Sequence, residues 1–178
     1  MKKIKIPKEF NYTEAYLTLK CNFNCDYCIN GDVDRKRKQI SGDKWIKLLN
    51  GIDFRKVPLT IGGGEPTLHK DFYKIINNLE TKVDLLTNLQ FNVNKFIKNV
   101  PKDVFTQSNI PFYASIRASY HVGQSNEEEL IEKTKKLREN GYNVGIFHLS
   151  HPYYINENMK MAWLCSQEKI PIYLPPDL

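Results

Sequence analysis

The chain is 178 residues long, enough for one domain with a single sizeable core but short of the roughly 250 residues of a closed eight-fold β/α barrel. Hydrophobic residues make up 41% and charged residues 26%, which excludes general disorder, and no apolar run approaches the ~20 residues of a membrane-spanning helix. The net charge of +6 fits weak attraction to anionic partners, but its one dense basic run, Arg35-Lys36-Arg37-Lys38, reads as a solvated loop rather than a nucleic-acid-binding face.

The N-terminus, Met1-Lys2-Lys3-Ile4-Lys5-Ile6-Pro7-Lys8, is basic with no apolar segment behind it, so it does not read as a secretion signal. A first strand is expected at Glu14–Leu19, then a short helix marked by Trp45, Leu48 and Leu49 that ends at Gly51. A second strand is expected at Val57–Ile61 and a third at Val83–Leu86. Between them Phe72, Ile75, Ile76 and Leu79 fall at i, i+3, i+4 and i+7, and Val93, Phe96, Ile97 and Val100 repeat that helical spacing. A fourth strand is expected at Phe112–Ile116. It is followed by a helix from Asn126 to Asn140, with Asn126 as its cap, Glu129 at the capping-box position and Gly141 as a left-handed stop. A fifth strand at Val144–Leu149, a helix near Asn156–Gln167 and a sixth strand at Ile170–Leu174 complete the pattern. The pair Pro175-Pro176 behind that strand fits an edge position.

Six strands alternating with five helices are the signature of repeated right-handed crossovers and a parallel sheet. Six units cannot close a barrel of eight, so an open, curved partial barrel is expected. The chain stops at Leu178, leaving no room for a sixth helix or a C-terminal extension. Ligands on parallel sheets gather at the carboxyl ends of the strands, which directs attention to the loops just after each one.

Three of the four cysteines lie in one such loop, Lys20-Cys21-Asn22-Phe23-Asn24-Cys25-Asp26-Tyr27-Cys28. Without a secretion signal a reducing, cytoplasmic setting is expected, so metal or redox chemistry is a better reading than disulfides. Three thiolates without a nearby fourth suit an iron–sulfur cube with one iron left open. They also suit a zinc site completed by His69, His121, His148 or His151. The fourth cysteine, Cys165, sits in the apolar run Met161-Ala162-Trp163-Leu164-Cys165 and reads as a buried small hydrophobe. After the second strand comes Ile61-Gly62-Gly63-Gly64-Glu65-Pro66, where successive glycines expose the main chain to close approach and Glu65 adds a carboxylate able to pair with an ammonium group. Both loops follow neighbouring strands and so share one rim of the sheet.

Together these residues resemble the radical SAM superfamily. Cys21-x3-Cys25-x2-Cys28 matches its cluster motif, and Gly63-Gly64-Glu65-Pro66 matches its GGEP motif. Tyr27 stands where the family has an aromatic residue before the last cysteine. The resemblance implies one radical SAM core domain over residues 1–178, an α/β fold with a parallel-sheet, partial (β/α)6 TIM-like barrel. It implies Cys21, Cys25 and Cys28 as ligands of a [4Fe–4S] cluster, with S-adenosylmethionine (SAM) on the open iron. It also implies Gly63, Gly64 and Glu65 at the methionyl amine and Tyr27 near adenine. Ser115, with Arg117 behind it, is implied as the ribose contact, although relatives often carry an acidic residue where this chain has Arg117. Asn88 either orients the cofactor or caps the next helix; Leu89 replaces the glycine of the family's Thr-Asn-Gly turn. His121, His148 and His151 are candidates to line the mouth of the site.

The activity implied is reductive cleavage of SAM to methionine and a 5′-deoxyadenosyl radical that abstracts hydrogen from an unidentified substrate. The alternatives are a non-catalytic iron–sulfur or zinc module, or a catalytic fragment served by a partner domain or subunit. The basic run Arg35–Lys38, close behind the cysteine loop, is expected to dock an acidic electron donor of the flavodoxin or ferredoxin type. The absence of extra cysteines disfavours relatives that carry auxiliary clusters.

Overall fold

The structure, a computed structural model, describes residues 3–108, 113–149 and 152–173. In chain order the elements are β1 (Ile4–Lys5), β2 (Thr13–Thr18), α1 (Gly42–Asn50), β3 (Ile52–Asp53), β4 (Leu59–Gly63), α2 (Phe72–Asn77), β5 (Val83–Thr87) and α3 (Val93–Asn99). There follow β6 (Ile116–Tyr120), α4 (Glu127–Glu139), β7 (Val144–His148), α5 (Ile155–Gln167) and β8 (Ile172–Tyr173). The main sheet has the order β2-β4-β5-β6-β7-β8, and every pairing in it is parallel. Among the described residues β2 and β8 each pair on one side only, so the sheet is open, as the strand count requires.

Alternation along each strand sorts side chains between two faces. Ala15, Leu17, Ile61, Val83, Leu85, Ile116, Ala118, Val144 and Ile146 point to the helices and are buried in the core. The other face, the inside of the partial barrel, carries Glu14, Tyr16, Thr60, Gly62, Asp84, Leu86, Arg117 and Ser119. This inner face is mixed in polarity, and that misleads a reading based on apolar runs. The fourth strand is not the expected Phe112–Ile116 but β6, four residues further on. Its polar positions Arg117 and Ser119 face inward while Ile116, Ala118 and Tyr120 pack against helices. Phe112 itself lies outside the described residues, as do Leu174, Pro175 and Pro176.

The other expectations hold within a few residues, apart from one small ladder. Strand β1 pairs in parallel with β3, two residues against two, too short to leave a periodic signal. Helix α4 starts as expected, with Asn126 Oδ1 accepting from the Glu129 N–H at 2.9 Å, and Gly141 stops it at φ +83°. The Glu129 carboxylate turns to Lys133 at 2.6 Å rather than back to the cap. No helix among the described residues is long and apolar enough to cross a membrane.

Phe96 of α3 sits at the centre of the helical layer, fully buried, with the rings of Phe91, Tyr142, Phe105 and Phe72 4.8 to 6.3 Å from its own. Such aromatic pairs add to simple area burial. Phe96→Ala is therefore expected to destabilise the fold by about 3–5 kcal/mol, and Phe96→Leu by clearly less, read from urea unfolding midpoints.

Candidate active site at the strand exits

The segment after β2 holds Cys21, Cys25 and Cys28 as free, half-buried thiols. It is not loosely draped. The Phe23 side chain is buried, and its carbonyl accepts from Arg35 Nη1 at 2.8 Å. The Asn24 N–H donates to Gln124 Oε1 at 3.0 Å, and Asn88 Nδ2 donates to Asn22 Oδ1 at 2.8 Å. Burial pushes the Cys21 and Cys25 thiols above their ordinary values, and each thiolate's charge adds to its neighbours' burden. The Phe23 N–H and the Arg35 cation pull Cys21 the other way. A bound positive centre would remove that cost, which is the environment a thiolate ligand set presents before loading.

Among the described residues no three His, Cys, Asp or Glu side chains gather closely enough to share one metal ion. Of the histidines that could complete a zinc site, His121 alone among the described residues shares a cavity with the thiols, and its Nδ1 is 3.2 Å from the Tyr27 hydroxyl. His69 is buried, its Nδ1 accepting from the Asp71 N–H at 3.1 Å and its Nε2 donating to the Ile40 carbonyl at 2.8 Å. His148 points to the helical side of the sheet, and both its ring nitrogens are buried without a hydrogen-bond partner. His151 lies outside the described residues. Thiolates that bind separate corners of a cube need no common centre, so the three-cysteine loop suits a cluster.

The glycine loop is bolted to the cysteine loop. The Gly64 N–H donates to the Thr18 carbonyl at 2.8 Å and the Glu65 N–H to the Lys20 carbonyl at 2.7 Å. A Cβ on Gly63, which has φ +124°, would lie 2.3 Å from the Thr18 oxygen, and one on Gly64 would lie 2.2 Å from the Lys20 oxygen. No other residue permits this approach.

Glu65 departs from the expected arrangement. It is 1% exposed, beneath the glycines and off the cavity wall. Oε1 accepts from the Thr67 N–H (3.1 Å), Thr67 Oγ1 (2.5 Å) and Thr87 Oγ1 (2.9 Å), and Oε2 accepts from the Asn88 N–H (2.8 Å). Burial raises its carboxyl pKa against the opposing pull of those donors. Its oxygens thus tie the exit of β4 to the exit of β5.

One cavity of about 360 Å³ opens on this rim, lined by all three cysteines, Tyr27, Gly63, Gly64, Thr87, Asn88, Ser119 and His121. Tyr27 stacks on His121, with its hydroxyl 3.2 Å from Nδ1. Of the three expected histidines, His121 lines the cavity and His148 does not. Asn88 is on the wall, and its Oδ1 accepts from the Gln90 N–H at 3.0 Å. The cap of α3 is Asn92, whose Oδ1 accepts from the Lys95 N–H at 2.9 Å. Leu89 takes the left-handed conformation (φ +57°), the backbone region that favours glycine.

Two expected residues are displaced by the shift of the fourth strand. Ser115 precedes β6, is fully buried and donates to the Asn143 carbonyl at 3.3 Å, away from the cavity. Arg117 turns to Thr60 Oγ1 at 3.0 Å and Asp84 Oδ2 at 3.6 Å, below the cavity. Ser119, on the same face further along the strand, reaches the wall, and His121 stands two residues beyond it. The sequence alternation puts Ser119 on that face together with Ser115 and Arg117, and gives no signal for the partnerships of Thr67, Asn22 and Arg35. Cys165 is fully buried and its thiol is pushed up to about 12 by burial, as a core residue.

A family model of the radical SAM superfamily matches residues 16–163. The chain belongs to that superfamily. The family uses a [4Fe–4S] cluster and SAM. A protein of Methanopyrus kandleri called "Probable GTP 3′,8-cyclase" is 36% identical over 86 residues, covering 46% of this chain and 27% of its own length. The GTP 3′,8-cyclase of Campylobacter jejuni subsp. doylei is 31% identical over 111 residues, covering 58% of this chain and 35% of its own. Streptococcus suis SuiB bound to precursor peptide SuiA superposes with a TM-score of 0.64 at 18% identity, over 90% of this chain and 37% of SuiB. BtrN in complex with AdoMet and 2-DOIA superposes with a TM-score of 0.56 at 18% identity, over 83% of this chain and 58% of BtrN. The two structural likenesses show a shared fold.

Two outcomes follow from the site's geometry. Thr87→Val keeps the shape but removes a donor from the buried Glu65 carboxylate, which is expected to cost about 1–3 kcal/mol in urea unfolding, while Thr87→Ser restores most of it. Burial lowers the pKa of both His121 and His148 below the ordinary 6.5. The unfolded chain then binds protons that the native state refuses, so stability falls as pH drops below 6.5 and rises with pH through that window. His148→Leu is expected to flatten part of that slope in unfolding midpoints measured across it.

Proposed function

We propose that this radical SAM chain binds its [4Fe–4S] cluster through the Cys21, Cys25 and Cys28 thiolates and SAM beside it over Gly63 and Gly64, in one core domain spanning residues 1–178. The observation that carries this reading is the single cavity lined by all three thiols and both glycines. When bound, the cluster and SAM supply one-electron cleavage to methionine and a 5′-deoxyadenosyl radical that takes a hydrogen atom from substrate.

The chain's own residues bind, orient and exclude water. The Gly64 and Glu65 N–H groups are spent on β2's exit, so the main chain offers the methionyl ammonium its carbonyl oxygens. Glu65 acts from behind, holding the loop at the β5 turn rather than touching the amine through a free oxygen. Tyr27, Asn88, Ser119 and His121 form the wall for the adenosyl portion, with Ser119 in the ribose role that the sequence suggested for Ser115. Leu19, Phe23 and Leu86 supply apolar wall that keeps water from a reactive intermediate. A ligand set of three free thiols supports the reading of a reducing setting such as the cytoplasm.

Of the basic run, Arg35 is committed to the Phe23 carbonyl, whereas Lys36, Arg37 and Lys38 are exposed. Those three are the surface offered to an acidic electron donor of the flavodoxin or ferredoxin type. The matched stretches cover only 27% and 35% of the two cyclases, and no substrate is carried over from them.

Anaerobic reconstitution tests the reading. The wild-type chain and Cys165→Ala are expected to take up about four irons each and, with dithionite and SAM, to release 5′-deoxyadenosine. Cys21→Ala, Cys25→Ala and Cys28→Ala should lose both; a wild-type chain that yields no deoxyadenosine refutes the proposal. Replacing Lys36, Arg37 and Lys38 by Gln is expected to slow cluster reduction by flavodoxin severalfold and leave reduction by dithionite unchanged.

A further inference from the structure

The first glycine of the triplet answers to neither the cysteine loop nor the cofactor. Gly62 lies on the inner face of β4, in register with Tyr16, and a Cβ there would come 2.2 Å from Glu14 Oε1. The glycine is the space through which the Glu14 carboxylate lies across the sheet. From that position Glu14 lines the same cavity as the cysteines, beside Tyr16, Leu86 and Ser119 on its floor. Its Oε2 accepts from the Tyr12 hydroxyl at 3.1 Å. Among the described residues it takes part in no ion pair. The inner-face cation Arg117 is turned to Asp84 and Thr60, and the cavity's own cation, Arg35, is tied to the cysteine loop.

We infer that Glu14 is the substrate-orienting group of this cavity and that the substrate presents a protonated amine to it. The inference rests on the reading of the cavity as a radical SAM site and names the substrate class that site takes. A ligand seated on the floor strips water from the carboxylate, and the surrounding side chains supply at most the neutral hydroxyls of Tyr12, Tyr16 and Ser119 and no free cation in exchange. A neutral hydroxyl would leave the negative charge uncompensated, whereas an ammonium supplies both the charge and the hydrogen bonds. A divalent cation would need several further oxygen ligands, and the described residues gather no such group.

The test measures binding rather than turnover. Cyclohexylamine and cyclohexanol, a charged and a neutral probe of one shape, are titrated into the reconstituted protein with SAM bound and into the protein as purified. The wild-type chain is expected to bind the amine at least tenfold more tightly than the alcohol. Glu14→Gln should abolish that preference. Gly62→Ala is an independent variant, because it moves only the flexible end of Glu14, and it should weaken the amine to the same degree. Equal binding of the two probes, or an amine preference that survives both variants, overturns the inference. Iron content and deoxyadenosine formation in the same samples report separately on the radical SAM reading, so either can fail alone.

Discussion

Everything at the active rim depends on how closely two main chains approach each other. The exits of β2 and β4 are joined by two short backbone hydrogen bonds, from Gly64 to Thr18 and from Glu65 to Lys20. That contact exists only because Gly63 and Gly64 have no side chains to strike the carbonyls. The cysteine loop begins at the next residue, Cys21. The position of the thiols relative to the glycines is therefore set by covalent geometry one residue from a rigid contact. Glu65 carries the same constraint to a third strand, since its carboxylate accepts from Thr87 and Asn88 at the end of β5. Three adjacent strand exits become one unit. A buried carboxylate is an expensive choice of fastener, tolerable because every oxygen is supplied with donors.

This arrangement explains why part of the site is legible in the sequence and part is not. The thiols and glycines sit in short contiguous motifs, and the strands beneath them alternate with helices strongly enough to fix their order. The partners that make the motifs rigid are scattered. Arg35 reaches Phe23 across 12 positions, Thr87 reaches Glu65 across 22, and Asn88 reaches Asn22 across 66. No local periodicity points at such pairs. Arg35 in particular sits in a basic run that reads as uniformly solvated, yet it turns inward while its three successors remain exposed.

The misplacement of the fourth strand has a related cause. Strand prediction takes an apolar run as the signal, which suits sheets whose two faces are both covered. A partial barrel with a ligand cavity inside needs polar residues along its inner face, so its strands advertise themselves only through the outer positions. Ile116, Ala118 and Tyr120 form that outer set, and the intervening Arg117 and Ser119 read like the end of a strand. The four-residue slip moved the expected ribose contact from the cavity wall to the bottom of the sheet. Strand register and site assignment fail together, because position along the strand decides which end of the barrel a side chain reaches.

Three carboxylates on or beside this sheet show how burial divides labour among like groups. Glu65, almost wholly buried, is saturated with protein donors and is fixed. Asp84, 5% exposed, takes the Tyr113 hydroxyl and stands opposite Arg117, and serves to hold the lower inner face together. Among the described residues Glu14 has one donor, the Tyr12 hydroxyl, and its half-exposed carboxylate is otherwise left to water. Its missing partners cost nothing until something displaces that water, so the demand arises only on binding. A group fully satisfied by its own fold has little left with which to recognise a ligand. An unsatisfied one at the rim of burial is where recognition energy is kept in reserve, and here a glycine holds that position open.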